Sequence, residues 1–337
     1  MSRGREILST SDLSIGYKTT GKEMVVMKHL SLSAGHGELV ALIGRNGTGK
    51  STLLRSLASL QLPLDGSIIL KGERLSEISS GELPRIISFT STEPFSVHNI
   101  KVREAVALGR FPYTNWLGSL SEEDERCVYE ALEVTGMLTL ADRNIDNISD
   151  GERQRTLIAR SLAQDTDLLI MDEPTAFLDL PSRFGIVSLL RKLTRERGKC
   201  VIYSTHDLDS AINEADSIWL MTEAGIQQGA PEDLILSKSL AKAFKSPMLS
   251  FSSSTGTFSF IRTGAGEIAL EANGFYRKMT EKALQRCGYN INPNARTKIT
   301  VNAIEENVQW CLTEGERMIC CSSIYELVNH LPEEAVE

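Results

Sequence analysis

The 337-residue chain contains no run approaching the ~18 consecutive apolar residues that a membrane-crossing helix requires. Met1 to Glu6 are not followed by the apolar stretch of a secretory leader, so the chain is expected to be neither secreted nor membrane-spanning. Positive charge is in deficit, with 36 Lys and Arg against 44 Asp and Glu and a net charge of -8. This argues against a nucleic-acid partner held mainly through its phosphates, which needs a basic face. Six cysteines, at 127, 200, 287, 311, 320 and 321, form no C-x-x-C pair and have no histidine at ligand spacing. They are expected to be reduced thiols. Of the five histidines, His29, His36, His98 and His330 stand in no chemical context.

What is present is concentrated in one place. Gly44-Arg45-Asn46-Gly47-Thr48-Gly49-Lys50-Ser51 fits the phosphate-binding pattern G-x-x-x-x-G-K-[ST] at every fixed position. Before it, Glu38 to Ile43 reads as a buried parallel strand, and from Thr52 to Ala58 the chain continues as a helix. Glycines there let backbone N–H groups close around phosphate oxygens, and the helix N-terminus adds partial positive charge. Lys50 is placed to reach the β- and γ-phosphates and Ser51 to ligate Mg²⁺.

A second signal is Leu168 to Met171 followed by Asp172-Glu173-Pro174, a buried strand ending in two carboxylates. Neighbours on a strand point to opposite sides, so the two acids are expected to divide roles. Asp172 suits a water-mediated hold on Mg²⁺, and Glu173 suits polarising an attacking water.

The rest of the chain reads as two domains, 1–249 and 250–337. Residues 7 to 43 alternate as antiparallel β structure, and a helical subdomain is expected over about 95–165, with a helix starting at Ser121 and carrying Val128, Leu132, Thr135 and Met137 inward. Asp167 to Met171 and Cys200 to Ser204 read as strands around a helix over Arg183 to Arg197, and Pro231 opens a last helix. Ser246 to Gly256 is linker-like. Beyond it, Thr257 to Arg262 and Glu267 to Ala272 are expected to form a hairpin across Gly264-Ala265-Gly266, before a helix with Phe275, Met279 and Ala283 on one face. Strands around Val301 and Trp310 and a helix capped by Ser323 complete a small α+β tail.

Between the two phosphate-related motifs lies Ile148-Ser149-Asp150-Gly151-Glu152-Arg153-Gln154-Arg155, and after them Ser204-Thr205-His206-Asp207. With the phosphate loop and Asp172-Glu173, this order resembles the nucleotide-binding subunits of the ATP-binding cassette (ABC) family over roughly residues 7 to 245. The resemblance implies an α/β P-loop ATPase core with antiparallel β and helical subdomains, binding ATP and Mg²⁺. It further implies a head-to-tail dimer, in which Ser149 and the backbone of Gly151 contact the γ-phosphate held by the other subunit. His206 corresponds to the switch histidine, Asp179 to the dimer-seam aspartate, and Tyr17 to the aromatic that stacks on adenine; Thr52 closes the nucleotide-binding set.

Three positions depart from the family pattern. Asp150 stands where glycine is usual; aimed at a phosphate from ~4 Å, its charge would cost about 4 kcal/mol at an effective dielectric of 20, so it is expected to point away. Glu152 replaces a glutamine in the L-S-G-G-Q signature. Thr92, beside Glu93, stands where a glutamine normally touches Mg²⁺ and reports to the membrane partner. Val102 to Gly118, with Gly109-Arg110-Phe111-Pro112-Tyr113 and Trp116, resembles the segment found in ATPases of ferric siderophore, haem and cobalamin importers. The implied role is the ATPase of such an importer on the cytoplasmic face of the inner membrane, driving separate permease subunits served by an extracytoplasmic binding protein. The alternative is a soluble ABC ATPase acting on a macromolecule, which would carry tandem cassettes or a long coiled coil.

Overall fold

The computed structural model describes residues 5–19, 22–91, 99–114, 118–252, 256–262, 264–304 and 307–332. The chain divides into two compact units, 1–244 and 245–337.

In the first unit, β1 (Glu6–Thr19), β2 (Lys22–Leu30), β3 (Ser33–Gly35), β5 (Asp65–Leu70) and β6 (Glu73–Arg74) form an antiparallel sheet, interrupted in sequence by β4 (Leu39–Gly44) and α1 (Lys50–Leu57). β4 belongs instead to a six-stranded sheet with β7 (Ile87–Thr90), β8 (Leu168–Met171), β9 (Cys200–Ser204), β10 (Ser217–Thr222) and β11 (Gly225–Gly229). Its order is β11-β10-β4-β9-β8-β7, parallel throughout except at β11. Every residue of β4, β8 and β9 is buried, which fits their uninterrupted apolar runs with no polar alternation. α1 buries Leu53, Leu54 and Leu57 in a core shared by both sheets, so the helix that follows the phosphate loop is clamped on two sides.

A separate apolar cluster holds the helical part together: α2 (Val102–Ala107), α3 (Glu122–Val134) and α4 (Asp150–Ala163) meet through Val106, Val128, Leu132, Met137 and Ala159. Ser121 caps α3, accepting the Asp124 N–H while its own N–H donates to the Asp124 carboxylate. Arg110 is buried against Asp124 at 2.7 Å and donates to the carbonyl of Ala163; its guanidinium lies 3.9 Å from the centre of the Tyr113 ring. Trp116, Thr92 and Glu93 lie outside the described residues. The unit continues through α5 (Leu180–Arg197) and α6 (Leu208–Glu214) and closes with α7 (Pro231–Leu236) and α8 (Ser239–Ala243).

The second unit corrects several expectations. Thr257 to Phe260 is β13, but its partner is β12 (Leu249–Ser252), drawn from the stretch read as a linker. β14 (Glu267–Glu271) instead pairs in parallel with β15 (Asn290–Ile291) and β16 (Lys298–Ile304), followed by antiparallel β17 (Asn307–Glu314) and β18 (Arg317–Cys321). The glycines at 264 and 266 therefore join two sheets and do not turn a hairpin. In α9 (Gly274–Arg286) the buried positions are Thr280, Ala283 and Leu284, while Phe275 is 68% exposed and Met279 is also exposed. Polarity misleads here because Trp310 Nε1 donates to the buried Thr280 hydroxyl, which makes a polar residue the inward one. A final helix, α10 (Ile324–Asn329), is capped by the Ser323 hydroxyl, while the Glu326 carboxylate takes the N–H and hydroxyl of Ser322.

The cysteines also differ from expectation. Cys311 and Cys320 form a disulfide, and Cys127, Cys200, Cys287 and Cys321 are free. β17 and β18 pair so that these two cysteines stand directly opposite each other, a relationship that a search for short C-x-x-C spacings does not detect.

Candidate functional site

Three loops reach one edge of the parallel sheet because their strands are neighbours. The phosphate loop leaves β4, Ser204 to His206 leave β9, and Asp172-Glu173 leave β8; β9 lies between the other two. Ligand crevices of open α/β sheets form at these carboxyl ends.

The loop's shape depends on glycine at two points. Gly49 caps α1 at φ 103°, a left-handed geometry, and a Cβ there would lie 2.3 Å from Val26 Cγ1. At Gly44 a Cβ would lie 2.5 Å from the carbonyl oxygen of Met221 on the adjacent strand. The Thr48 hydroxyl donates to the Arg45 carbonyl, while Arg45, Asn46 and Gly47 are exposed. Lys50 is 6% exposed, and its Nζ donates to the carbonyls of Gly44 and Arg45 at 3.1 and 3.3 Å. Burial lowers its pKa, against the pull of the Glu173 and Asp172 charges. Ser51 follows within the first turn of α1, and Thr52 shares a 2.7 Å hydrogen bond with the Tyr17 hydroxyl. Tyr17 on β1 and the helix after the phosphate loop are thus linked directly.

Asp172 and Glu173 do take different directions, for a reason other than strand alternation. β8 ends at Met171, and Glu173 has φ 48°, the left-handed region that costs a non-glycine residue energy. The turn sends Asp172 inward, where its Oδ1 accepts the Ser204 hydroxyl at 2.7 Å. Glu173 turns outward, its Oε1 2.7 Å from His206 Nε2. An ionised carboxylate only accepts, so the imidazole donates from Nε2. Ser204 also accepts the Glu173 N–H at 2.8 Å. No single motif marks Ser204, but in-register pairing of Met171 with Tyr203 leads directly to it.

The site suits a magnesium ion carried in on nucleotide phosphates. Ser51 and Asp172 offer oxygen alone, as a hard cation prefers, and such an ion takes only one or two protein ligands. Among the described residues no group of three or more His, Cys, Asp and Glu is arranged for a metal held entirely by protein.

Ser149 and Gly151 lie elsewhere. Ser149 is the N-cap of α4, accepting the Glu152 N–H and donating to the Glu152 carboxylate, and a Cβ at Gly151 would lie 2.8 Å from Ser182 Oγ. Asp179 caps α5 by accepting the Ser182 N–H at 3.0 Å, so the Ser149 loop and the Asp179 loop adjoin. Among the described residues no hydrogen bond or ion pair joins Ser149 or Gly151 to the phosphate loop. Asp150 is exposed, with Oδ1 3.4 Å from Arg153 Nη1. Thr92 lies outside the described residues.

Comparison with known proteins matches this arrangement. The ABC transporter family profile fits residues 27–176, and that of the iron ABC transporter C-terminal domain fits 265–332. The chain is 40% identical over 236 residues to the achromobactin transport ATP-binding protein of Dickeya dadantii, covering 70% of this chain and 86% of that protein. With the ferric enterobactin transport ATP-binding protein of Escherichia coli it shares 36% over 238 residues, 70% of this chain and 86% of the other. Among solved structures, a metal-chelate type ABC transporter in an inward-facing conformation aligns with TM-score 0.61 and 26% identity, over 76% of this chain and 96% of that one. A dimeric ATP-binding cassette in a post-hydrolysis state, bound to ADP and phosphate, aligns with TM-score 0.58 and 25% identity, over 67% and 99%. With its phosphate loop, paired carboxylates and histidine on adjoining strand ends, the chain belongs to the ABC transporter family, as an ATP-hydrolysing subunit.

Proposed function

We propose that this subunit powers uptake of a metal chelate, a ferric siderophore foremost, with haem and cobalamin as the other members of the class. It works as a head-to-tail dimer on the cytoplasmic face of the inner membrane, driving separate permease subunits that an extracytoplasmic binding protein supplies. The transport roles named for its relatives and the iron-type C-terminal region support the cargo class. The soluble alternative has no support in these relatives. An ATPase domain over about 1–249 and an extension over 250–337 are the working division of the chain.

The backbone of Gly44, Arg45, Asn46, Gly47, Thr48 and Gly49 receives the phosphates, and Lys50 leaves its two carbonyl partners for the β- and γ-phosphates. Tyr17 takes the adenine, and Thr52, hydrogen-bonded to it, completes the nucleotide-binding set. Ser51, Asp172 and Thr92 are the residues that would hold magnesium, which would supply positive charge to offset that of the phosphates. Glu173 acts as base on the attacking water, and His206, already hydrogen-bonded to it, orients the water and the γ-phosphate. Ser149 and Gly151 close over the nucleotide of the second copy, with Asp179 at the seam.

The observation that carries this reading is Glu173, turned out of its strand to meet His206 beside the phosphate loop. Glu173→Gln keeps the shape and removes the base, so turnover should fall by ~10²- to 10⁴-fold while ATP binding, measured by nucleotide titration, survives. Undiminished turnover would sink the assignment. Deleting the gene should abolish growth on one iron chelate as sole iron source; unchanged growth on all chelates would remove the cargo class.

A further inference from the structure

Ser149 has one hydroxyl proton, and in this chain it is already in use. The hydroxyl donates to Glu152 Oε2 at 2.9 Å, the Ser149 N–H donates to the same oxygen at 2.8 Å, and Ser149 Oγ accepts the Glu152 N–H at 3.3 Å. The neighbouring acid behaves differently: Asp150 is turned along the helix to Arg153. Both of the hydrogen bonds that the Glu152 carboxylate accepts among the described residues come from Ser149. The backbone and hydroxyl bonds from Ser149 hold its carboxyl below the usual carboxylate range, so it stays ionised at neutral pH. A hydrogen bond to a carboxylate is roughly twice as strong as one to a neutral amide.

We propose that Glu152 is a positioning residue of the composite ATP site, holding the Ser149 hydroxyl in the open subunit so that closure must move its donated bond from the Glu152 carboxylate to the γ-phosphate. This rests on the reading that Ser149 meets ATP bound by a second copy. Glu152 thereby sets how much ATP is needed to close the dimer. It raises that requirement by competing for the hydroxyl. A glutamine would accept the same two donors and preserve the helix cap, while competing more weakly.

The test uses the full chain carrying Glu173→Gln, with Mg-ATP as the probe, and reads the ATP concentration for half-maximal dimerisation by sedimentation velocity. Adding Glu152→Gln should lower that concentration about fivefold, the difference between a charged and a neutral acceptor, with the melting midpoint unchanged. Ser149→Ala should raise it. In the Ser149→Ala background, Glu152→Gln should then have no further effect, because the residue acts through the hydroxyl. A requirement unchanged by Glu152→Gln while Ser149→Ala weakens closure overturns the proposal and leaves the Ser149 reading standing. A gain that persists in the Ser149→Ala background reduces the effect to charge alone and also overturns it. A requirement unchanged by Ser149→Ala removes the composite-site reading itself, and the proposal with it.

Discussion

The hydroxyl of Ser204 donates to Oδ1 of Asp172 at 2.7 Å, across the junction of β9 and β8. Ser204 Oγ in turn accepts the N–H of Glu173, so one buried serine fixes both carboxylate-bearing residues. Ser204→Ala leaves a buried carboxylate oxygen and a backbone N–H without that partner, at a cost of about 1–3 kcal/mol. We expect kcat to fall about tenfold, equivalent to ~1.4 kcal/mol of barrier, with the apparent ATP affinity nearly unchanged. A purely structural role would lower the melting midpoint and leave kcat intact.

Lys50 and Ser149 of one working site are assigned to different copies. Chains carrying Lys50→Ala and chains carrying Ser149→Arg should each be inactive alone, while their mixture regains one intact site per mixed dimer. Activity of the mixture is read against each parent at equal total protein. No recovery at any ratio would show that the two motifs do not meet across a dimer seam.

The buried Arg110–Asp124 pair ties the segment before α3 to α3 itself. Burial alone would raise the Asp124 carboxyl, but hydrogen bonds from Ser121 and Arg110 outweigh it and hold it below the usual value. A depressed folded-state pKa gives stability that is present above the unfolded value of ~3.9 and is lost as pH falls through the folded value. Asp124→Asn leaves Arg110 buried without its charge partner and should cost about 3–5 kcal/mol at pH 7. Urea unfolding should show the gap between the two proteins shrinking below about pH 4. A gap independent of pH would assign the loss to packing.

The cross-strand bond in the C-terminal unit predicts a thiol count. Denatured without reductant, the protein should show four reactive thiols, rising to six after reduction. Replacing Cys311 and Cys320 with serine opens a loop of nine-residue separation and should destabilise that unit by about 2–3 kcal/mol on chain-entropy grounds. Six thiols without reductant would mean that the pair is not oxidised in the isolated protein.

What the sequence determined by itself is the chemistry carried by contiguous backbone. A phosphate loop needs its glycines, lysine and serine within eight consecutive residues, and Asp172-Glu173 need only follow a buried strand, so both are legible along the chain. Helix caps such as Ser121 and Ser323 are equally local, since they span one turn. Tertiary structure alone decided whatever depends on which strands become neighbours. The order β4-β9-β8 makes Ser204 the link between Asp172 and Glu173, and the β17–β18 register sets Cys311 against Cys320. Pairing of β13 with β12, and the inward turn of Thr280 in place of Phe275, belong to the same class. Periodicity states which residues share a face, but the partner that buries the face is chosen by packing between segments far apart in sequence.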